Sequence, residues 1–164
     1  MAFYENENDD DFLEEDSQKD KYITFKISSE EYAIGIAFVN EIIGIQDVTH
    51  LPDMPEFIKG VINLRGNVIP IVDLRKRFKM IEIEYSTRAC IIVVYFNEIK
   101  IGLVVDEVSE VLNIPSENVE STPKSAKILT NRFIKGIGKV NDLVKIILDI
   151  EKILTEDEIE KIRL

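Results

Sequence analysis

The sequence contains one cysteine and one histidine, and it lacks any basic stripe. A single cysteine excludes an internal disulfide framework and any multi-cysteine metal site. Cys90 stands inside Ala89-Cys90-Ile91-Ile92-Val93-Val94, so it is expected to be a buried thiol acting as a small hydrophobe. His50 lies between Thr49 and Leu51 with no acid–nucleophile grouping around it. It reads as an exposed strand-end residue rather than a general base. No phosphate-cradling G-x-x-x-x-G-K-[ST] loop occurs, because Gly136-Ile137-Gly138-Lys139 is too short and has no hydroxyl residue. No basic segment precedes an apolar stretch, and no apolar run nears the roughly 18 residues of a membrane span. The expectation is a cytoplasmic protein without direct membrane insertion. An anionic domain with no basic face also argues against nucleic acid, whose phosphates demand counter-charge.

What is present is a core-forming chain. Of 164 residues 45% are apolar, ample for packing, while the formal net charge is −11. That charge is unevenly placed. Residues 1–20 hold nine acids (Glu5, Glu7, Asp9, Asp10, Asp11, Glu14, Glu15, Asp16, Asp20) against Lys19, a local balance of −8 that leaves −3 for residues 21–164. Like charges at this density resist compaction, so residues 1–20 are expected to form a disordered, solubilising acidic tail. Binding of a basic partner or of loosely held cations is the alternative.

The chain repeats itself. Phe57-Ile58-Lys59-Gly60 returns as Phe133-Ile134-Lys135-Gly136, and an ungapped offset of 76 holds for 22 residues, through Phe78 and Leu154. Val68/Val144, Ile71/Ile147, Asp73/Asp149 and Lys76/Lys152 coincide. A looser echo needs a two-residue gap: Ile34-Gly35-Ile36 answers Ile101-Gly102-Leu103, and Val39-x-Glu41-Ile42-Ile43 answers Val108-x-Glu110-Val111-Leu112. Duplication predicts two similar lobes meeting at a seam, and seams are common binding sites.

Local patterns supply the elements. Tyr22–Ile27 and Tyr32–Ile36 read as strands around Ser28-Ser29-Glu30-Glu31. Ile36, Val39 and Ile43 fall at helical spacing and predict a short helix near 37–42, with Glu41 leaving the apolar stripe. Ile45–Leu51 suggests a strand closed by Pro52 and Pro55. Gly60–Leu64 and Val68–Val72 flank the hairpin signal Arg65-Gly66-Asn67. Arg88–Phe96 and Ile99–Val105 are strands joined by Asn97-Glu98, and residues 113–132 form the most loop-like interior stretch. The repeat gives strands around Ile134–Val140 and Leu143–Leu148, and Thr155-x-x-Glu158 opens a C-terminal helix over 156–163 as a capping box. Short strands with frequent turns indicate an all-β fold with short helices, and duplication makes that two small barrels.

Differences between the copies carry information. Arg65-Gly66 at one hairpin tip faces Asn141-Asp142 at the other, so the fold does not require the arginine. Arginine suits interfaces because its planar guanidinium is weakly hydrated and bonds in pairs; a solvated turn charge is the plainer alternative. Pro70, replaced by Ile146 in the repeat, places its strand at an edge or a break. Asp73 and Asp149 each follow a strand and precede a helical turn, so capping is favoured over a catalytic carboxylate pair. No constellation of residues is catalytic.

Phe57-Ile58-Lys59-Gly60-Val61-Ile62-Asn63-Leu64-Arg65-Gly66, running into Pro70-Ile71-Val72-Asp73-Leu74, resembles the CheW family of bacterial chemotaxis coupling proteins. Val39-x-Glu41-Ile42 and Gly102-x-Val104-Val105-Asp106-x-Val108 fit the same pattern, and the resemblance covers about residues 21–160. The length is expected to exclude the related kinases and receiver fusions, leaving the module alone. The resemblance implies two SH3-like five-stranded β-barrel subdomains around a shared hydrophobic seam. One spans about 29–84 and the other about 85–154, strand 21–28 is a candidate to cross over to the second, and a C-terminal helix fills 155–164. It implies a non-catalytic adaptor, with no cofactor and no metal, joining the cytoplasmic hairpin tip of chemoreceptors to the regulatory domain of the histidine kinase CheA. A CheW-like scaffold in another receptor–kinase pathway is the alternative. The family's receptor-facing groove maps onto Ile36, Val39, Glu41, Ile43, Arg65, Val108 and Val111, and its kinase-facing surface onto Val48, Lys59, Gly60 and Val68. The implied protein is a monomer in solution that joins rings in receptor arrays at the membrane. A nucleic-acid barrel would need a basic, aromatic-lined face, and a small enzyme would need a chemical motif; neither is found.

Overall fold

The computed structural model describes residues 18–121 and 132–163. Most of the acidic tail and residues 122–131 of the loop expected over 113–132 lie outside the described residues. Strands β1 (Lys21–Ile27) and β2 (Glu30–Gly35) form a hairpin, followed by β3 (Val39–Gly44). Next come β4 (Ile58–Leu64), β5 (Asn67–Asp73) and the one-turn helix α1 (Leu74–Arg77). A second hairpin, β6 (Cys90–Phe96) and β7 (Ile99–Val105), leads to β8 (Glu107–Asn113), β9 (Val119–Glu120), β10 (Ile134–Val140), β11 (Leu143–Leu148) and helix α2 (Glu156–Ile162).

Two-residue turns with both φ angles positive set three of the hairpins: Arg65 (49°) and Gly66 (87°), Asn97 (47°) and Glu98 (64°), Asn141 (48°) and Asp142 (65°). Such turns match the right-handed strand twist and pin the register. In β4–β5 the pairs Leu64↔Asn67, Ile62↔Ile69 and Val61↔Pro70 follow directly.

The strands assemble into two SH3-like units, a five-stranded sheet β3-β6-β7-β5-β4 and a six-stranded sheet β8-β1-β2-β11-β10-β9. The halves are interleaved. The β1–β2 hairpin of the first half pairs with β8 and β11 of the second, and the β6–β7 hairpin of the second half pairs with β3 and β5 of the first. The expected boundaries therefore shift. Not only residues 21–28 but the whole hairpin through Gly35 joins the second sheet, and 90–105 joins the first. β9 also has a counterpart, since β10 meets it at Ile137↔Glu120 and β4 meets Thr49 at Val61, one repeat earlier.

The repeated F-I-K-G motif has a mechanical reading. In both copies the ladder slips by one residue at the lysine, between Ile58 and Gly60 and between Ile134 and Gly136. The bulge brings a third backbone segment close: a Cβ on Gly60 would lie 2.1 Å from the Thr49 carbonyl oxygen, and one on Gly136 2.8 Å from that of Glu120. The phenylalanine carbonyls accept from the paired aspartates, Asp73 N–H to Phe57 O and Asp149 N–H to Phe133 O, each at 2.8 Å.

One large core unites both sheets, including Ile23, Phe25, Ile34, Val72, Leu74, Ile92, Val94, Leu103, Leu148 and Leu154. A file of rings threads it, Phe25–Tyr32–Phe78–Phe133, with centroid spacings of 6.1, 5.7 and 5.5 Å. A smaller cluster of Ile62, Ile69, Ile71, Ile91, Val93 and Val104 fills the first barrel. The seam is thus filled by apolar side chains from both sheets.

Several local expectations differ from the structure. Only Ile36–Phe38 form a helical turn, and Val39–Gly44 are a strand. Residues 45–51 contribute a single bridge, Thr49 to Val61, instead of a strand. Cys90 is half-buried, because it starts β6 rather than sitting mid-strand. β5 is interior, yet Pro70 sits one residue before its parallel ladder with β7 begins at Ile71, where its missing N–H deprives no partner there. Asp73 caps α1 by accepting from the Arg75 and Lys76 N–H groups, but Asp149 makes no side-chain cap. Within 113–121, Ile114 is fully buried and β9 forms. The Thr155–Glu158 capping box is present, opening α2.

Candidate protein-interaction site

Among the described residues the notable polar groups are held in structural contacts. Asp73 Oδ1 accepts from the N–H groups of Arg75 (3.0 Å) and Lys76 (3.3 Å) and from the Tyr85 hydroxyl (2.9 Å), so its lone pairs are committed to structure. Arg75 bridges to Asp106 at 2.6 Å, donates to the Ile83 carbonyl and lies under the Tyr85 ring. Burial, then the Asp73 charge, pushes the Tyr85 hydroxyl well above its ordinary value. Burial likewise raises the Cys90 thiol, partly opposed by a hydrogen bond from the Val108 backbone, which keeps it protonated and unreactive at neutral pH. Among the described residues no group of three or more His, Cys, Asp or Glu gathers as metal ligands.

The informative surface lies on two edge strands. β3 ends the first sheet and β8 ends the second. Each carries an irregularity in its pairing with the neighbouring strand, between Val39 and Glu41 in β3 and opposite Ile23–Phe25 in β8. A bulge inserts one extra residue, so positions three apart come to share a face. In β3, Val39 opposes Val94 and Ile42 opposes Ile92, both residues of the large inter-lobe core. In β8, Val108 opposes Phe25 and Val111 opposes Ile23, again of that core. The helical spacing in the sequence is therefore two bulged strands.

Val39 and Val108 pack partly buried on the core rim, while Ile42 and Val111 stand 44% and 53% exposed. Each pair thus forms an apolar lip on its own edge strand, where the inter-lobe core meets solvent. Ile42 was absent from the expected groove; the echo that aligns Val39 with Val108 also aligns Ile42 with Val111 and is the signal that identifies it. Ile43 belongs to the opposite face. It opposes Ile91 and packs into the first-barrel cluster. Ile36 sits half-buried in the turn that feeds β3.

Glu41 opposes Val93 and so also leaves the lip face. Arg65 Nη2 donates to Glu41 Oε1, joining the β4–β5 hairpin tip to β3 with the arginine 69% exposed. An exposed pair of this kind adds little stability, about 0–1 kcal/mol. Of the other predicted set, Val48 and Gly60 are adjacent, and Lys59 Nζ stands 5.2 Å over the Tyr85 ring. Gly60 is buried and forms the bulge, so it shapes this surface without presenting a side chain. Val68 is 53% exposed at the far end of the β4–β5 ladder, opposite Asn63.

Comparison with known proteins shows what the chain as a whole is similar to. Residues 21–158 match the model of the CheW-like domain. The chain is 38% identical over 138 residues to the chemotaxis protein CheW of Klebsiella aerogenes, covering 84% of this chain and 83% of that one. It is 34% identical over 138 residues to the chemotaxis protein CheW of Bacillus subtilis, covering 84% and 88%. The crystal structure of the scaffolding protein TtCheW from Thermoanaerobacter tengcongensis superposes with a TM-score of 0.77 at 36% identity, over 85% of this chain and 90% of that one.

Proposed function

The chain belongs to the CheW-like family, and from that premise we propose that it is a non-catalytic adaptor coupling chemoreceptors to the histidine kinase CheA in chemotaxis arrays. The observation that carries the reading is the paired lip on β3 and β8. Two matched edge strands leave Ile42 and Val111 exposed on the face of a core that both lobes share.

A receptor tip is a helical hairpin, and an amphipathic helix laid on the lip would insert its apolar ridge between the two strands. Val39, Ile42, Val108 and Val111 supply the apolar area. Ile36 extends it at one end, and Glu41 with Arg65 sets direction from the adjoining barrel mouth, where Ile43 supports the strand. Fully burying a large aliphatic side chain is worth about 1.5–3 kcal/mol, and these residues start half-covered. After the entropy of association, micromolar-class affinity follows, strengthened by multivalency in an array. The kinase regulatory domain takes the separate surface formed by Val48, Lys59 and Val68 and shaped by Gly60. The adaptor is cytoplasmic, monomeric when free and ring-forming when recruited to membrane receptors.

The test uses exposed positions so that the fold survives. I42E and V111E should each abolish pull-down by a receptor hairpin fragment while leaving the melting temperature and binding to the kinase regulatory domain unchanged. R65E should weaken receptor binding, and E41R/R65E should restore part of it. Folded I42E and V111E proteins that still bind the receptor fragment would remove the lip assignment.

A further inference from the structure

We propose that the acidic segment 1–17 docks in cis into the aromatic, cation-rimmed cleft between the two F-I-K-G motifs, with Phe12-Leu13 seated on the rings. The cleft, about 820 Å³, lies where the two copies of the repeat face each other. Phe57, Phe78 and Phe133 form its floor. Lys79 and Arg132 stand on its rim, exposed, and Arg132 stacks over the Phe133 ring at 4.6 Å. Among the described residues neither cation has a carboxylate within ion-pair distance, whereas Lys76 is matched by Glu82 at 3.2 Å. Glu56 is the remaining acid of the lining.

The complementary ligand is in the same chain. Residues 1–17 hold eight acids and no cation, and the run Asp9-Asp10-Asp11-Phe12-Leu13-Glu14-Glu15-Asp16 sets an apolar pair between two acidic triplets. That pattern matches an apolar floor with a positive rim. The tail begins near the cleft. Gln18 lines a neighbouring cleft together with Lys135, two residues beyond Phe133, and the five residues from Leu13 to Gln18 span up to roughly 17 Å when extended. A tethered ligand acts at an effective concentration in the millimolar range for a short flexible link, so weak contacts suffice for occupancy. Docking there shields the one face on which both repeat motifs converge, and any anionic partner of that face must first displace the tail.

The chain has no tryptophan, which makes F12W a single reporter in the full-length protein. Its emission should be blue-shifted relative to free indole at low salt. It should move to the solvent-exposed position in F12W/K79E/R132E and, because the attraction is screened, in high salt. Amide spectra of the full chain should show wild type and F12S/L13S differing around Phe57, Phe133 and Lys79. Lys79 and Arg132 are surface residues, and a thermal melt confirms that the triple variant is folded. Water-like F12W emission in low salt would overturn the proposal and leave the cleft to another occupant. A blue shift that K79E/R132E does not alter would overturn it equally, by placing the tail elsewhere.

Discussion

Arg77 is the residue on which lobe-to-lobe cohesion can be tested most directly. Its guanidinium lies over both repeat phenylalanines, 4.0 Å from the Phe57 ring centroid and 4.8 Å from that of Phe133. Nε donates to the Ile153 carbonyl at 2.8 Å, and the two terminal nitrogens donate to Glu158 at 2.9 and 2.7 Å. The side chains are 6% and 18% exposed. Arg77 thus joins the end of α1 to the first turn of α2, and R77A leaves Glu158 without its partner. Removing one member of a buried pair costs about 3–5 kcal/mol, and lost ring contacts add roughly 0.5–2 kcal/mol. Because Glu158 retains some water access, the pair contributes less than that range, and the total is about 3 kcal/mol. At about 2–4 °C per kcal/mol for a domain of this size, the melting temperature should fall by roughly 6–12 °C. The pH arm is independent. Burial pushes the Glu158 carboxyl up, but the Thr155 N–H and Arg77 outweigh it and hold the group below its ordinary value of 4.5. A lowered carboxylate stabilises the fold above its unfolded pKa and loses that contribution as pH falls through the folded one. The advantage of wild type over E158Q should therefore be full above about pH 4.5 and vanish on acidification. An R77A protein melting within about 2 °C of wild type would refute the reasoning.

Two further outcomes follow from the geometry. G60A should destabilise more than G136A, since Gly60 has φ of 147° and its Cβ would enter the Thr49 carbonyl, while Gly136 has the wider 2.8 Å clearance and no positive φ. Backbone strain of this kind costs about 1–3 kcal/mol before the clash, readable as a lower urea midpoint. Tyr85 makes the alkaline prediction. Its raised pKa means stability is intact below the ordinary value of 10.0 and declines as pH rises beyond it. Y85F should lose about 1 kcal/mol at neutral pH, from the Asp73 hydrogen bond, yet show a shallower alkaline decline in urea midpoint; equal slopes would reject the coupling.

What was legible in the sequence was local. Arg65-Gly66 and Asn141-Asp142 announce their turns because only a few residues accept positive φ, and Thr155-x-x-Glu158 announces its cap. The F-I-K-G repeat could be seen but not interpreted, since the partner that requires Gly60, the Thr49 carbonyl, is eleven residues away and outside the motif. The exchange of hairpins between halves was largely hidden. Strands carry their pleat in sequence, but nothing in β1–β2 or β6–β7 states which sheet will accept it. The helix expected near 37–42 failed for a specific reason: a β-bulge converts period two into a local spacing of three, which periodicity alone reads as helical. The same effect concealed β8, whose Val108 and Val111 do not alternate.

The proposed binding geometry depends on symmetry at one level and its absence at the next. Interleaved hairpins hold β3 and β8 as equivalent edges, so the apolar lip is nearly two-fold and by itself indifferent to a partner's direction. Charge removes that ambiguity. Glu41 is met by Arg65, whereas its echo Glu110 has no cation partner among the described residues, and the hairpin position equivalent to Arg65 is Asn141. In the proposed complex the flank of β3 thus carries an ion pair and that of β8 a bare carboxylate, beside the lip rather than on it. Apolar contacts supply area without orientation, and the unpaired and paired acids supply orientation with little net energy. Reversing only the charges should accordingly change which way a partner lies more than how tightly it is held, a separation that E41R/R65E exposes because it keeps the pair and inverts its polarity.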